Sequence, residues 1–129
     1  MTINTVLTVY ERRANENGIS VKISAKVSRE LEVSPQDLVI VIANLFENAI
    51  HATRKYKSQN KLIDISIKED TRRLPIKVEN PCRKNLAFDE NLYGVGIHSV
   101  IATTNKYEGM YDFSVGDGIF SAKISLNLK

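Results

Sequence analysis

The chain has 129 residues, 43% hydrophobic and 26% charged, which describes one ordinary globular domain (residues 1–129) able to build its own core. The formal net charge of +3 is spread along the chain without an evident basic stripe, so no nucleic-acid partner is expected. The single cysteine, Cys82, excludes an internal disulfide framework, and the sequence reads without a leader peptide or an apolar run of membrane-spanning length.

Ile3, Val6, Leu7, Tyr10 and Ala14 recur at helical spacing, and Gly18 supplies a stop. Ile19, Val21, Ile23, Ala25 and Val27 alternate with Ser and Lys, the pattern of a half-buried strand. Ser34-Pro35-Gln36-Asp37 predicts a helix start, with Ser34 as N-cap, Pro35 as first helical residue and Asp37 three residues after the cap. That second helix runs to about Tyr56. Ile63, Ile65 and Ile67 mark a second strand, Leu74, Ile76 and Val78 a third, and Asp70-Thr71-Arg72-Arg73 joins them as a hairpin. Asn80 to Tyr93 reads as a loop. Gly94-Val95-Gly96 opens a third helix that ends near Gly109, and two further strands meet at Gly116-Asp117-Gly118. The helices must cover one face of a mixed, mainly antiparallel sheet of about five strands, an α+β two-layer sandwich.

The second helix carries the most informative pattern. Asn44 and Asn48 lie four residues apart and share a face, and His51 and Lys55 continue the stripe. Leu38, Ile42, Leu45, Phe46, Ala49 and Thr53 occupy the opposite side, and Glu47 is the nearest acid. An apolar helix with one narrow amide stripe faces something polar and enclosed. A metal-bound phosphate chain fits, because an amide oxygen is a hard, neutral ligand for Mg²⁺. A polar seam bonded to a neighbouring loop fits the spacing equally. The glycines of Gly94-Val95-Gly96 would let backbone N–H groups at a helix start approach a phosphate, or would simply serve a tight turn. Asn80, at a strand end, could accept a hydrogen bond from an adenine amino group or begin a turn.

In this order, Asn44-Leu45-Phe46-Glu47-Asn48-Ala49, the strand-end Asn80, a loop, Gly94-Val95-Gly96-Ile97 and the Gly116-Asp117-Gly118 hairpin resemble the ATP-binding catalytic domain of sensor histidine kinases. That domain belongs to the superfamily shared with gyrase, the mismatch-repair ATPases and a heat-shock chaperone, and the variety it most resembles is the peptide-sensing, quorum-type kinases of bacteria. The resemblance covers essentially the whole chain and implies the Bergerat-type ATP-binding fold. It implies ATP and Mg²⁺ as cofactors, Asn48 as the Mg²⁺ ligand, and Asn44 as a phosphate or metal-water contact. His51 matches a basic phosphate contact, Gly94, Gly96 and Ile97 the second glycine motif, and Asn80 the adenine-reading position. Residues 81–93 would form a short lid, with Arg83 and Lys84 within reach of phosphate.

It further implies a cytoplasmic domain of a membrane-anchored homodimeric parent. Its partners would be a histidine-bearing dimerisation helix domain of that parent and a response regulator. Neither His51 nor His98 lies on a separate helix of that kind, so the acceptor is expected outside this chain. Two departures stand out. The family's Asp-x-Gly-x-Gly reads here Asn80-Pro81-Cys82-Arg83-Lys84, without either glycine. Hydrolytic members of the superfamily carry a Glu one turn before the metal Asn, where this chain has Asn44, so fast hydrolysis is not expected. A serine kinase of anti-sigma type and a non-catalytic scaffold share the pattern as alternative functions.

Overall fold

The computed structural model describes residues 3–28, 33–56, 61–82 and 94–128. Along the chain they form α1 (Ile3–Glu16), β1 (Ser20–Lys26), α2 (Pro35–Lys55), β2 (Leu62–Lys68), β3 (Arg73–Pro81), α3 (Gly94–Lys106), β4 (Met110–Gly116) and β5 (Ile119–Asn127). The five strands make one sheet in the order β1-β2-β3-β5-β4. β1 and β2 run parallel because α2 intervenes, whereas the remaining neighbours are antiparallel.

Local chemistry fixes the joints. Gly18 adopts φ +74°, which ends α1 by letting the Gly18 and Ile19 amides return to Asn15 O and Ala14 O at 3.0 Å. The β2–β3 connection is tied by Asp70 N donating to Arg73 O at 2.8 Å. Between β4 and β5 the two turn residues Asp117 and Gly118 both take positive φ, 54° and 76°, the geometry whose twist matches a tight hairpin.

Strand alternation places Ile63, Ile65, Ile67, Leu74, Ile76, Val78, Phe120, Ala122, Ile124 and Leu126 on one buried face. Onto it α2 presents Leu38, Val41, Ile42, Leu45, Phe46, Ala49 and Ile50, all buried. Each fully buried side chain of that size contributes about 1.5–3 kcal/mol before entropy is charged against it. α1 is fastened to α2 by the stack of Tyr10 on Phe46, 5.5 Å between centroids, and by the exposed Arg13–Glu47 ion pair. α3 completes the helical layer with Ile97 and Val100.

Two local expectations are corrected. Asn80 is not in a loop: it is a β3 residue paired with Phe120 of β5, and the strand continues to Pro81. The apolar period ends at Val78, which is why pattern alone stopped the strand early. At the start of α2, Ser34 and Pro35 take their expected places, but Ser34 makes no side-chain cap and Asp37 does not reach back to it. Tyr107, just after α3, intervenes instead. Its hydroxyl accepts from the Ser34 N–H at 3.0 Å and donates to Asp37 Oδ2 at 2.5 Å.

Candidate nucleotide-binding site

Asn44 and Asn48 lie on the α2 face turned toward α3, and both are half-buried. The side-chain amide of Asn44 donates from Nδ2 to Ile40 O at 2.7 Å, a bond back along its own helix. Its Oδ1 is thereby aimed at the first turn of α3: a Cβ built on Gly96 would stand 3.0 Å from that oxygen. The glycine therefore spares a tight contact at this point. It lets the start of α3, with its unpaired N–H groups and positive dipole end, close on the amide stripe. Asn48, one turn further, has no hydrogen-bond partner among the described residues. A side-chain carbonyl of this kind fits Mg²⁺ without adding negative charge beside a phosphate chain.

The remaining candidates fall around this pair. Asn80 is 1% exposed on the helix-facing side of β3, the strand beneath α2, and its Nδ2 is occupied by Pro81 O at 2.9 Å. Its side chain thus offers an acceptor oxygen in preference to a donor. Ile97 is 1% exposed and belongs to the core, so only its backbone is available to a ligand. His51 and His98 are exposed on α2 and α3, with no described contact. The glycine pair of the hairpin, Gly116 and Gly118, serves the turn, and Gly118 O accepts from Cys82 N at 2.8 Å, fixing the first residues beyond β3. Burial raises the Cys82 thiol above its ordinary value, so it is a poor nucleophile. The lid positions 83–93, including Arg83 and Lys84, lie outside the described residues.

The far ends of the two helices are locked by a polar cluster that hydrophobic periodicity does not reveal. Tyr107 and Lys106 both donate to Asp37 Oδ2, at 2.5 and 3.0 Å. These bonds, the Tyr107 hydroxyl first, hold the Asp37 carboxyl below its ordinary range, while loss of solvent and the adjacent Asp37 raise the Tyr107 phenol. α3 is thus held at two points on α2: Asp37 at its end and Asn44 at its beginning. An acid in the first turn of an otherwise apolar helix was the available signal, but its partner lies 70 residues away. Thr53, on the apolar side of α2, is fully buried and its Oγ1 has no hydrogen-bond partner among the described residues.

Three helices on a five-stranded mixed sheet, with an amide stripe meeting a glycine-bearing helix start, define a two-layer α+β sandwich. A family model described as a GHKL domain matches residues 33–127, and the chain belongs to that family. It is 33% identical, over 116 residues, to a Bacillus subtilis (strain 168) protein named a probable C4-dicarboxylate sensor kinase. That match covers 87% of this chain and 20% of the relative, so the chain spans about a fifth of the curated relative's length. Among solved structures it is similar to the Acinetobacter baumannii histidine kinase AdeS, with TM-score 0.78 and 17% identity over 98% of this chain and 63% of that one. It is also similar to the catalytic domain of histidine kinase ThkA, with TM-score 0.76 and 16% identity over 97% and 90%. These likenesses establish the sandwich fold expected from the sequence. The peptide-sensing subgroup is not among the things they name.

Proposed function

We propose that this chain is the catalytic domain of a sensor histidine kinase, which binds Mg-ATP and presents the γ-phosphate to a histidine on a separate helical domain of the same parent protein. The observation that carries the reading is the seating of Asn44 against Gly96, with Asn48, one turn away, unpartnered among the described residues. It joins a neutral oxygen donor to a helix start rich in free N–H groups, the two things a metal-bound triphosphate needs. Asn48 would hold Mg²⁺, which when bound supplies charge neutralisation. The first turn of α3 would bind phosphate through Gly94 and Gly96, and Asn80 would accept from the adenine amino group. The work of the protein is then positioning and electrostatic stabilisation, as in other phosphoryl transfers.

The family, and the sensor-kinase name of the curated relative, support a response regulator as downstream partner and a dimeric, membrane-anchored parent. No described helix of this chain is long and apolar enough to cross a membrane. The test is Asn48→Ala. Its side chain is half-buried and unpartnered among the described residues, so the fold should persist, with thermal stability within about 1 kcal/mol of the parent. Isothermal titration should show Mg²⁺-dependent ATP affinity falling at least tenfold, about 1.4 kcal/mol. Unchanged affinity in the presence of Mg²⁺ would remove the basis of the proposal. Absence of nucleotide binding by the unmutated chain, at millimolar ATP, would favour the scaffold reading that the missing glycines after Asn80 suggest.

A further inference from the structure

The sheet face opposite the helices collects the charge that the sequence seemed to disperse. Strand alternation puts Lys22, Lys26, Lys68, Arg73, Lys77 and Lys123 on it, against three acids, Asp64, Glu79 and Asp112. The excess of three cations over acids equals the whole formal net charge of +3. The arrangement is unusual in register as well as number. Lys26 stands directly opposite Lys68, and Lys77 directly opposite Lys123. Like charges facing one another across strands are destabilising, and the only ion pair on this face among the described residues is Lys77–Glu79 at 3.6 Å. Beside these lysines lies a shallow groove of about 550 Å³ with an apolar floor that includes Pro75 and Met110, the latter 62% exposed.

We infer that this face is a docking surface for an acidic amphipathic helix of a protein partner. The lysine band Lys26, Lys68, Lys77, Lys123 crosses the four neighbouring strands β1, β2, β3 and β5. Strands are spaced by about 4.8 Å, and because Lys77 faces Ser66 and not Lys68 the band steps by two residues between its two lysine pairs and runs obliquely over roughly 16 Å. A helix laid across the strands repeats its acids every turn, about 5.4 Å, and three turns span about 16 Å. Carboxylates along one side of a helix laid obliquely thus reach both lysine pairs, while its apolar side covers Met110 and Pro75. Other anionic partners fit less well. Among the described residues a single aromatic residue, Tyr111, lines the groove, too few for successive bases to stack, which disfavours single-stranded nucleic acid. Its three interspersed carboxylates repel a continuous phosphate surface, whether duplex or lipid. The helices and the candidate nucleotide site occupy the other side of the sheet, so such a partner binds without covering them.

The experiment is a ¹H–¹⁵N titration of the full chain with a synthetic helical peptide carrying Glu once per turn on one side and Leu on the other. A composition-matched scrambled peptide, anionic phospholipid vesicles and duplex DNA serve as comparators. Saturable shifts confined to the amides of Ser66, Lys77, Met110 and Lys123 are expected. The Lys68→Gln/Lys77→Gln/Lys123→Gln variant should bind the peptide at least tenfold more weakly with ATP affinity unchanged, and Met110→Ser should weaken it severalfold. Thermal denaturation confirms that both variants fold. Equal binding of the scrambled peptide, an unaffected triple variant, or tighter binding to vesicles or DNA than to the peptide would overturn the inference. So would shifts that do not saturate at millimolar peptide.

Discussion

Gly96→Ala probes the joint on which the proposed nucleotide site depends. The backbone at Gly96 does not require positive φ, so alanine is allowed there conformationally. The new Cβ would sit 3.0 Å from Asn44 Oδ1 and 3.6 Å from its Cγ, so the amide must retreat by a few tenths of an ångström. Asn44 is tethered by its 2.7 Å bond to Ile40 O, and retreat strains either that bond or the rotamer. Each costs about 0.5–1.5 kcal/mol. Replacing glycine in a helix recovers up to about 1 kcal/mol, somewhat less in the first turn. The terms nearly cancel, so the melting temperature should move by no more than about 4 °C. Binding has no such compensation. The methyl group occupies the approach of phosphate to the α3 amides and displaces the neighbouring amide oxygen, so ATP affinity should fall at least fivefold, about 1 kcal/mol. Titration calorimetry with Mg-ATP on folded protein measures it. In an Asn44→Ala background the collision is gone, so Gly96→Ala should become neutral to stabilising there, by up to about 1 kcal/mol. Wild-type ATP affinity in Gly96→Ala would show that phosphate does not approach this turn.

Two further expectations concern stability. Gly109→Ala should be far more damaging than Gly96→Ala, because its Cβ would lie 2.1 Å from the backbone oxygen of Ser125. Neither the α3 end nor β5 can move away cheaply, so a loss of about 3 kcal/mol or more is expected in urea or thermal unfolding. The Asp37 cluster predicts pH dependence. Its carboxyl is held below the ordinary value of 3.8 by the Tyr107 hydroxyl and Lys106, so its contribution is complete above that value and disappears as pH falls through the lower folded value. Tyr107 works in the other direction: its phenol is raised above 10.0, so its contribution is complete below pH 10 and is lost as pH rises further. Asp37→Asn should flatten the acid limb of a stability–pH profile below about pH 4, and Tyr107→Phe the alkaline limb above about pH 10. Parallel curves for variants and parent would refute both assignments.

Much of this architecture was readable from periodicity. The eight elements, the helix stop at Gly18 and the tight hairpin at residues 117–118 all follow from local rules that the folded chain obeys. The amide stripe was readable because polar residues at helical spacing are rare on an otherwise apolar helix. The contact of Asn44 with Gly96 was not, since it depends on how α3 crosses α2, which no spacing within one helix specifies. The Asp37–Tyr107 bond was hidden for the same reason. The local capping pattern even suggested a competing partner for Asp37, and a tertiary hydroxyl took both ends of that box. The cationic sheet face was masked by the period of the strand. Lysines at every second residue look dispersed along the chain, yet all project to one side, and only the register reveals that they oppose one another.

Glu47 bears on whether the proposed site could activate water. It is adjacent in sequence to Asn48, yet one residue on a helix is a turn of about 100°. Its carboxylate points to α1, where it pairs with Arg13, and that guanidinium also lies over the Tyr10 ring, 5.5 Å from its centroid. The acid closest in sequence is therefore turned off the amide stripe toward α1, beside the seam where Tyr10 stacks against Phe46. On the site side the position one turn before Asn48 is Asn44, which cannot accept a proton from water and whose Nδ2 is already bonded to Ile40 O. A phosphate held there meets donors and a neutral ligand but no general base among these groups. Such a site can hold a phosphoryl donor ready while leaving the choice of nucleophile to whatever partner is brought to it.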